Sequence, residues 1–128
     1  MILLIDTSDA ECRISFVDGD EAADYKWQAD RGLAKGLLKY LHDKLAENNK
    51  TWSDISAIGV FAGPGSFTGL RIGITVANTI ADAQNIAIVG ATGENWQAEA
   101  LEKIKSGVNE KIVLPFYGSE AHITQSKK

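Results

Sequence analysis

Two short stretches and three single residues carry the residue types from which a reaction centre could be built. Asp6-Thr7-Ser8 follows an apolar run and would bring a carboxylate and two hydroxyls to one turn. Gly63-Pro64-Gly65-Ser66-Phe67-Thr68-Gly69-Leu70-Arg71-Ile72-Gly73 is a glycine-rich turn that opens a helix. A helix N-terminus with free N–H groups attracts anions, so this turn raises the question of a phosphate. His42, His122 and the lone Cys12 are the remaining groups able to act as base, ligand or nucleophile.

The spacings decide against most of these chemistries. A phosphate loop of the P-loop kind needs a lysine to neutralise phosphate charge and a hydroxyl to hold magnesium. Here Leu70 and Arg71 follow Gly69, and no lysine occurs between Thr51 and Glu102. The dinucleotide pattern also fails, because Gly63, Gly65 and Gly69 are spaced G-x-G-x-x-x-G. Ser66 and Thr68 have no histidine near them in sequence and do not occupy a G-x-S-x-G elbow. A metal site needs clustered ligands, whereas His42 and His122 fall on unrelated elements. No catalytic residue, metal ligand or cofactor is therefore expected. A small nucleotide-binding or nucleotide-hydrolysing protein using Asp6, Thr7, Gly65 and Ser66 stands as the alternative. Its structural counterpart has Asp6 capping the turn between the first two strands.

These residues need elements to hold them. Ile2 to Ile5 is a continuous apolar run of the kind buried on both faces of a sheet. Cys12 to Val17 alternates, Asp18-Gly19-Asp20 supplies a tight turn, and Ala22 to Trp27 returns as a partner strand. A first helix is predicted over Leu33 to Glu47, stopped by Asn48-Asn49. Ala57 to Phe61 is a buried strand leading into the glycine turn, and a second helix spans Ser66 to Ala83 with Ser66 as N-cap. A short strand, Ile86 to Val89, and a weaker helix, Asn95 to Lys105, follow. Lys111 to Phe116 and Ala121 to Gln125 read as a closing hairpin around Tyr117-Gly118-Ser119-Glu120. The order βββαβαβα plus a hairpin implies an α/β protein with helices against a mixed sheet.

The second helix is unusual on a wheel. Gly65, Gly69, Gly73, Ala77 and Ala81 recur every fourth residue, a shallow ridge that lets a neighbouring element approach closely. Glycine inside a helix costs about 0.5–1 kcal/mol relative to alanine, which implies a packing demand. Arg71, Thr75, Asn78, Thr79 and Asp82 share a wedge of roughly 100°, and apolar residues fill most of the rest. A helix so patterned should be buried on two sides. Leu33, Ala34, Leu37, Leu38, Tyr40, Leu41 and Leu45 give the first helix a stripe of roughly 160°. The two helices could cover each other, but a small domain has little else to lay over them, so a second protein chain is the economical cover. Arg71 reads either as a surface arginine paired with Asp82 or as an interface anchor.

Bulk properties set the limits. At 128 residues, 45% of them hydrophobic, the chain suits one domain with a genuine core. A net charge of −4 leaves no excess of lysine and arginine to displace counterions from nucleic acid. A single cysteine excludes an intrachain disulfide and points to a reducing compartment. No basic leader precedes the short run after Met1, and no segment reaches the roughly 20 apolar residues of a membrane span. A cytoplasmic location is expected.

Ile-Leu-Leu-Ile-Asp-Thr-Ser at Ile2 to Ser8, together with the unbroken stretch from Ile58 to Ala77 that contains the glycine turn, resembles the TsaB (YeaZ) family. Members take part in putting threonylcarbamoyl on the adenosine beside the anticodon of certain tRNAs. The resemblance implies a single actin/Hsp70/sugar-kinase-like (ribonuclease H-like) lobe over residues 1–107, with 108–128 as the remnant hairpin of a second lobe. It also implies a non-catalytic subunit whose partner is the catalytic paralogue TsaD, with the ATPase TsaE as third member and tRNA reached only through the complex. Pairing with TsaD, or with a second copy, is implied through the first two helices. The interface residues expected on them are Leu33, Leu37, Leu41, Phe67, Leu70, Arg71, Gly73, Ile74, Ala77, Asn78 and Ala81. The sequence departs from the family at Leu33-Ala34, where a His-Ser or His-Thr pair is usual, and at Pro115-Phe116-Tyr117 in place of Asp-Ala-Arg.

Overall fold

A computed structural model describes residues 1–116. Five strands form one mixed sheet: β1 (Ile2–Asp6), β2 (Glu11–Asp18), β3 (Glu21–Gln28), β4 (Ala57–Gly63) and β5 (Ala87–Thr92), in the order β3-β2-β1-β4-β5. The first three pair antiparallel, while β1–β4 and β4–β5 are parallel. The continuous apolar runs in β1 and β4 place those strands at the sheet centre, buried on both faces. Three helices complete the lobe: α1 (Leu33–Glu47), α2 (Phe67–Gln84) and α3 (Trp96–Lys105). This is the α/β arrangement of helices on a mixed sheet that the element order predicts, and it fits the single ribonuclease H-like lobe that the resemblance implies.

Register assigns the helices to faces. Ile5, Ile14 and Tyr25 stand opposite one another across β1, β2 and β3, and Trp27, on the same face of β3, stacks on Tyr40 of α1 at 4.8 Å between ring centroids. Leu4 and Gly59 share the other face, where a side chain on Gly59 would meet Ala100 of α3. Leu37, Leu41 and Leu45 bury α1, and Leu70, Ile74, Ala77 and Ala81 bury α2, in one contiguous core.

The boundaries follow local chemistry. Ser66 caps α2 by accepting the Gly69 N–H at 3.3 Å, and Asn85 closes it in the left-handed region at φ 56°. Asn48 caps the end of α1 and Asn49 takes φ 59°.

The expected closing hairpin needs correction in its first arm. Residues 108–116 form no strand; they run as an irregular strap past β5 and α2. Side chains meet the groups that a ladder would use. Asn109 and Glu110 accept from the N–H groups of Ile88 and Gly90, and Asn78 bonds both backbone groups of Val113. The second arm, its turn, His122 and the two terminal lysines lie outside the described residues. Among the described residues no helix is long and apolar enough to cross a membrane.

Candidate partner surface and the glycine turn

The glycine turn receives a piece of its own chain. β1 ends at Asp6, and the tight turn that follows pushes Thr7 and Ser8 against the first two turns of α2. Asp6 Oδ1 accepts the Ser8 N–H at 2.9 Å, so this carboxylate caps the turn. Ser66 donates its N–H to the Ser8 carbonyl at 2.8 Å, and the Thr7 hydroxyl donates to the Gly69 carbonyl at 2.7 Å. A Cβ on Gly65 would stand 2.6 Å from the Ser8 side chain, and one on Gly73 would stand 2.1 Å from Thr7 Oγ1. The ridge of small residues thus answers a demand for close approach, and the approaching element is the β1–β2 turn.

That packing commits Thr7 and the Ser66 N–H inside the chain and so weighs against the nucleotide reading of Asp6, Thr7, Gly65 and Ser66. Thr7 is buried, its hydroxyl is committed to Gly69, and the Ser66 N–H and the first-turn Gly69 N–H are both spent inside the chain. An incoming phosphate would have to break these bonds before making its own. Among the described residues there is no group of three or more His, Cys, Asp or Glu placed to hold a metal ion. His42 is exposed near Asp43 on α1. Cys12 is buried, and burial, aided by the Asp6 charge, pushes its thiol up to about 12, so it is neither thiolate nor nucleophile at neutral pH.

The expected interface divides in two. Leu37, Leu41, Leu70, Gly73, Ile74, Ala77 and Ala81 are buried within this chain, which corrects their reading as partner-facing residues, while Leu33, though largely buried, keeps an edge on the groove described below. A wheel shows how much of a helix is apolar but not what lies beyond it, and here the sheet and α1 lie beyond it. α2 is indeed covered on two flanks. α1 covers one, and the strap covers the other, where Asn78 donates to the Val113 carbonyl at 3.0 Å and accepts the Val113 N–H at 2.9 Å. The second cover comes from the same polypeptide. Asn78 therefore holds the strap, while Phe67 and Arg71 stay exposed with the guanidinium 5.3 Å from the Phe67 ring centroid. Arg71 is not ion-paired with Asp82 among the described residues; it lies over an aromatic face instead.

What remains open on this side is a groove of about 900 Å³ where α1 and α2 begin. Leu33 and Ala34 form one wall, Thr68, Gly69 and Ile72 the other, and Asp9, Asp30 and Arg31 stand at the rim. Helical spacing continues the first wall from Ala34 to Leu38, which is 51% exposed, and the second from Ile72 to half-buried Val76. Ala34, Leu38 and Ile72 were absent from the interface residues expected by sequence. The i, i+4 pair Ala34 and Leu38 was the available signal, since a surface helix needs only one buried stripe and these fall outside it.

A family model described as "TsaD: tRNA N6-adenosine threonylcarbamoyltransferase" matches residues 27–104. The chain is similar to "tRNA threonylcarbamoyladenosine biosynthesis protein TsaB" of Escherichia coli (strain K12), at 33% identity over 92 residues, 71% of this chain and 39% of that protein. The TsaB protein of Haemophilus influenzae is 23% identical over 124 residues, 97% of this chain and 52% of its own length. Among solved structures, YeaZ from Pseudomonas aeruginosa superposes with a TM-score of 0.69 at 28% identity, covering 83% of this chain and 49% of that one. The chain thus spans about half or less of the length of these relatives. A family model over more than half of the residues, and relatives and a solved structure that agree with it, make this chain a member of the TsaB (YeaZ) family.

Proposed function

We propose that this chain is an accessory, non-catalytic subunit in the synthesis of threonylcarbamoyladenosine on tRNA. It docks on the catalytic paralogue TsaD through the groove where α1 and α2 begin. The observation that carries this reading is the groove itself, walled by Leu33, Ala34 and Ile72 and continued by exposed Leu38. An apolar patch of this size on a small protein suits a protein partner. The names of the relatives supply the pathway, and the acidic net charge supports tRNA being reached through the complex and not by this chain alone. TsaE joins as the third member of the assembly, and a homodimer uses the same groove when TsaD is absent. The setting is the cytoplasm.

The test is co-purification with TsaD from the same organism, followed by a tRNA modification assay with and without this chain. Ala34→Arg and Leu38→Asp alter exposed residues, so both variants should stay folded while losing TsaD. Unchanged binding by both would remove the groove from the reading. Full modification without the chain would remove the function.

A further inference from the structure

Among the described residues β5 is an edge strand, and the backbone groups it turns outward are all engaged at two successive outward positions. The Ile88 N–H donates to Asn109 Oδ1 at 3.2 Å, and the Ile88 carbonyl accepts the Glu110 N–H at 2.9 Å. The Gly90 N–H donates to Glu110 Oε1 at 2.9 Å, and the Gly90 carbonyl accepts from Lys103 Nζ at 2.7 Å. Three of these four partners are side chains. Glu110 Oε2 also pairs with Lys103 at 3.0 Å, which locks the two gripping side chains to each other. Asn109 Oδ1 takes a second N–H, from Lys111 at 2.9 Å, which holds the start of the strap in its turn.

This arrangement differs from a sixth strand. A backbone ladder would satisfy the same four groups but would present a new open edge, ready to pair again. Side chains satisfy them and end the sheet. The opposite edge, β3, carries Glu21, Asp24 and Lys26 along eight residues, which resists pairing by charge. β5 itself, Ala-Ile-Val-Gly-Ala-Thr, has no charged residue and would be an uncharged, largely apolar template if bared.

We propose that Asn109, Glu110 and Lys103 are an edge guard: they occupy the outward hydrogen-bonding groups of β5 and so keep the sheet from pairing with the β5 edge of a second copy of this chain. The inference stands apart from the proposed function, since the guarded edge is not the α1–α2 groove.

The experiment compares the full chain with N109A/E110A and with N109D/E110Q, which keeps both acceptor oxygens. Amide hydrogen exchange reads the edge, and light scattering over a concentration series reads assembly. In N109A/E110A the Ile88 and Gly90 amides should exchange about tenfold faster while core amides such as Leu4 and Val60 keep their protection. The variant should also associate beyond the parent's own state, and N109D/E110Q should do neither. Edge amides that stay protected in N109A/E110A would overturn the proposal, as would freed amides without added association. Should the double variant unfold, shown by loss of protection throughout, N109A alone is read at the Ile88 amide against the same outcomes.

Discussion

The Thr7 hydroxyl donates to the Gly69 carbonyl at 2.7 Å, across 62 positions of sequence, and a Cβ on Gly73 would lie 2.1 Å from that same oxygen. Thr7 thus explains two glycines one helical turn apart: its side chain crowds Gly73, and its backbone carbonyl oxygen is what a Cβ on Gly69 would meet. The glycine turn on which the resemblance rests is, in this chain, a socket for the β1–β2 turn.

Gly73→Ala is the direct probe. At an open helical site the change would raise stability by about 1 kcal/mol, because alanine is the better helix former. Here overpacking against Thr7 should reverse the sign, giving a net loss of about 1–3 kcal/mol. Urea unfolding measures it. In the pair T7A/G73A the two losses should total less than their sum, because the clash needs both side chains. A raised midpoint in G73A would refute the socket.

Asn78→Ala should release the strap from α2. Two hydrogen bonds to Val113 disappear, and the buried Val113 loses its fixed backbone. The expected outcome is a global loss of about 1–3 kcal/mol and new proteolytic cleavage within 108–116. Asn78→Asp keeps the acceptor for the Val113 N–H and should fall between. Cleavage unchanged from the parent in N78A would leave the strap held by other contacts.

Cys12 should resist thiol reagents at pH 8 in the folded chain, because its thiol titrates near 12 and is buried. It should react fully in denaturant. The folded value lies above the ordinary 9.0, so the fold favours the protonated form. That contribution is complete below pH 9 and is lost as the pH climbs from 9 toward 12. Cys12→Ala should flatten the alkaline decline in stability; a decline identical to the parent's would assign it to other groups.

Titration with ATP and magnesium should yield no saturable heat from this chain. Two N–H groups that could face a phosphate at the glycine turn, those of Ser66 and Gly69, are bonded to Ser8 and Ser66. Saturable binding that G65A abolished would restore the nucleotide alternative.

Much of the fold was legible in the residues. The apolar runs of β1 and β4, the alternation of β2, the Ser66 cap and the asparagines after α1 are local signals, each enforced by nearby backbone chemistry. The small-residue ridge correctly announced a close neighbour, and Arg71, Thr75, Thr79 and Asp82 of the polar wedge face solvent, whereas Asn78 of the same wedge is taken by the strap. The site was less legible. Leu37, Leu41, Leu70 and Ala77 satisfy every local criterion of an interface residue and are core, because hydrophobicity records the need for cover and not its source.

The covering was settled by tertiary structure. Asn78 and Val113 lie thirty-five positions apart, and nothing in either residue type says that one will latch the other. Lys111 to Phe116 has the composition of a strand, yet Asn109, Glu110 and Lys103 reach β5 first and end the ladder. Local chemistry determined the strands, the helices and their ends, because caps and periodicity act within a turn or two. Which surface stayed open was decided by long-range contacts that form only once the chain has closed on itself, and they left the groove between α1 and α2 as the open apolar surface on that side.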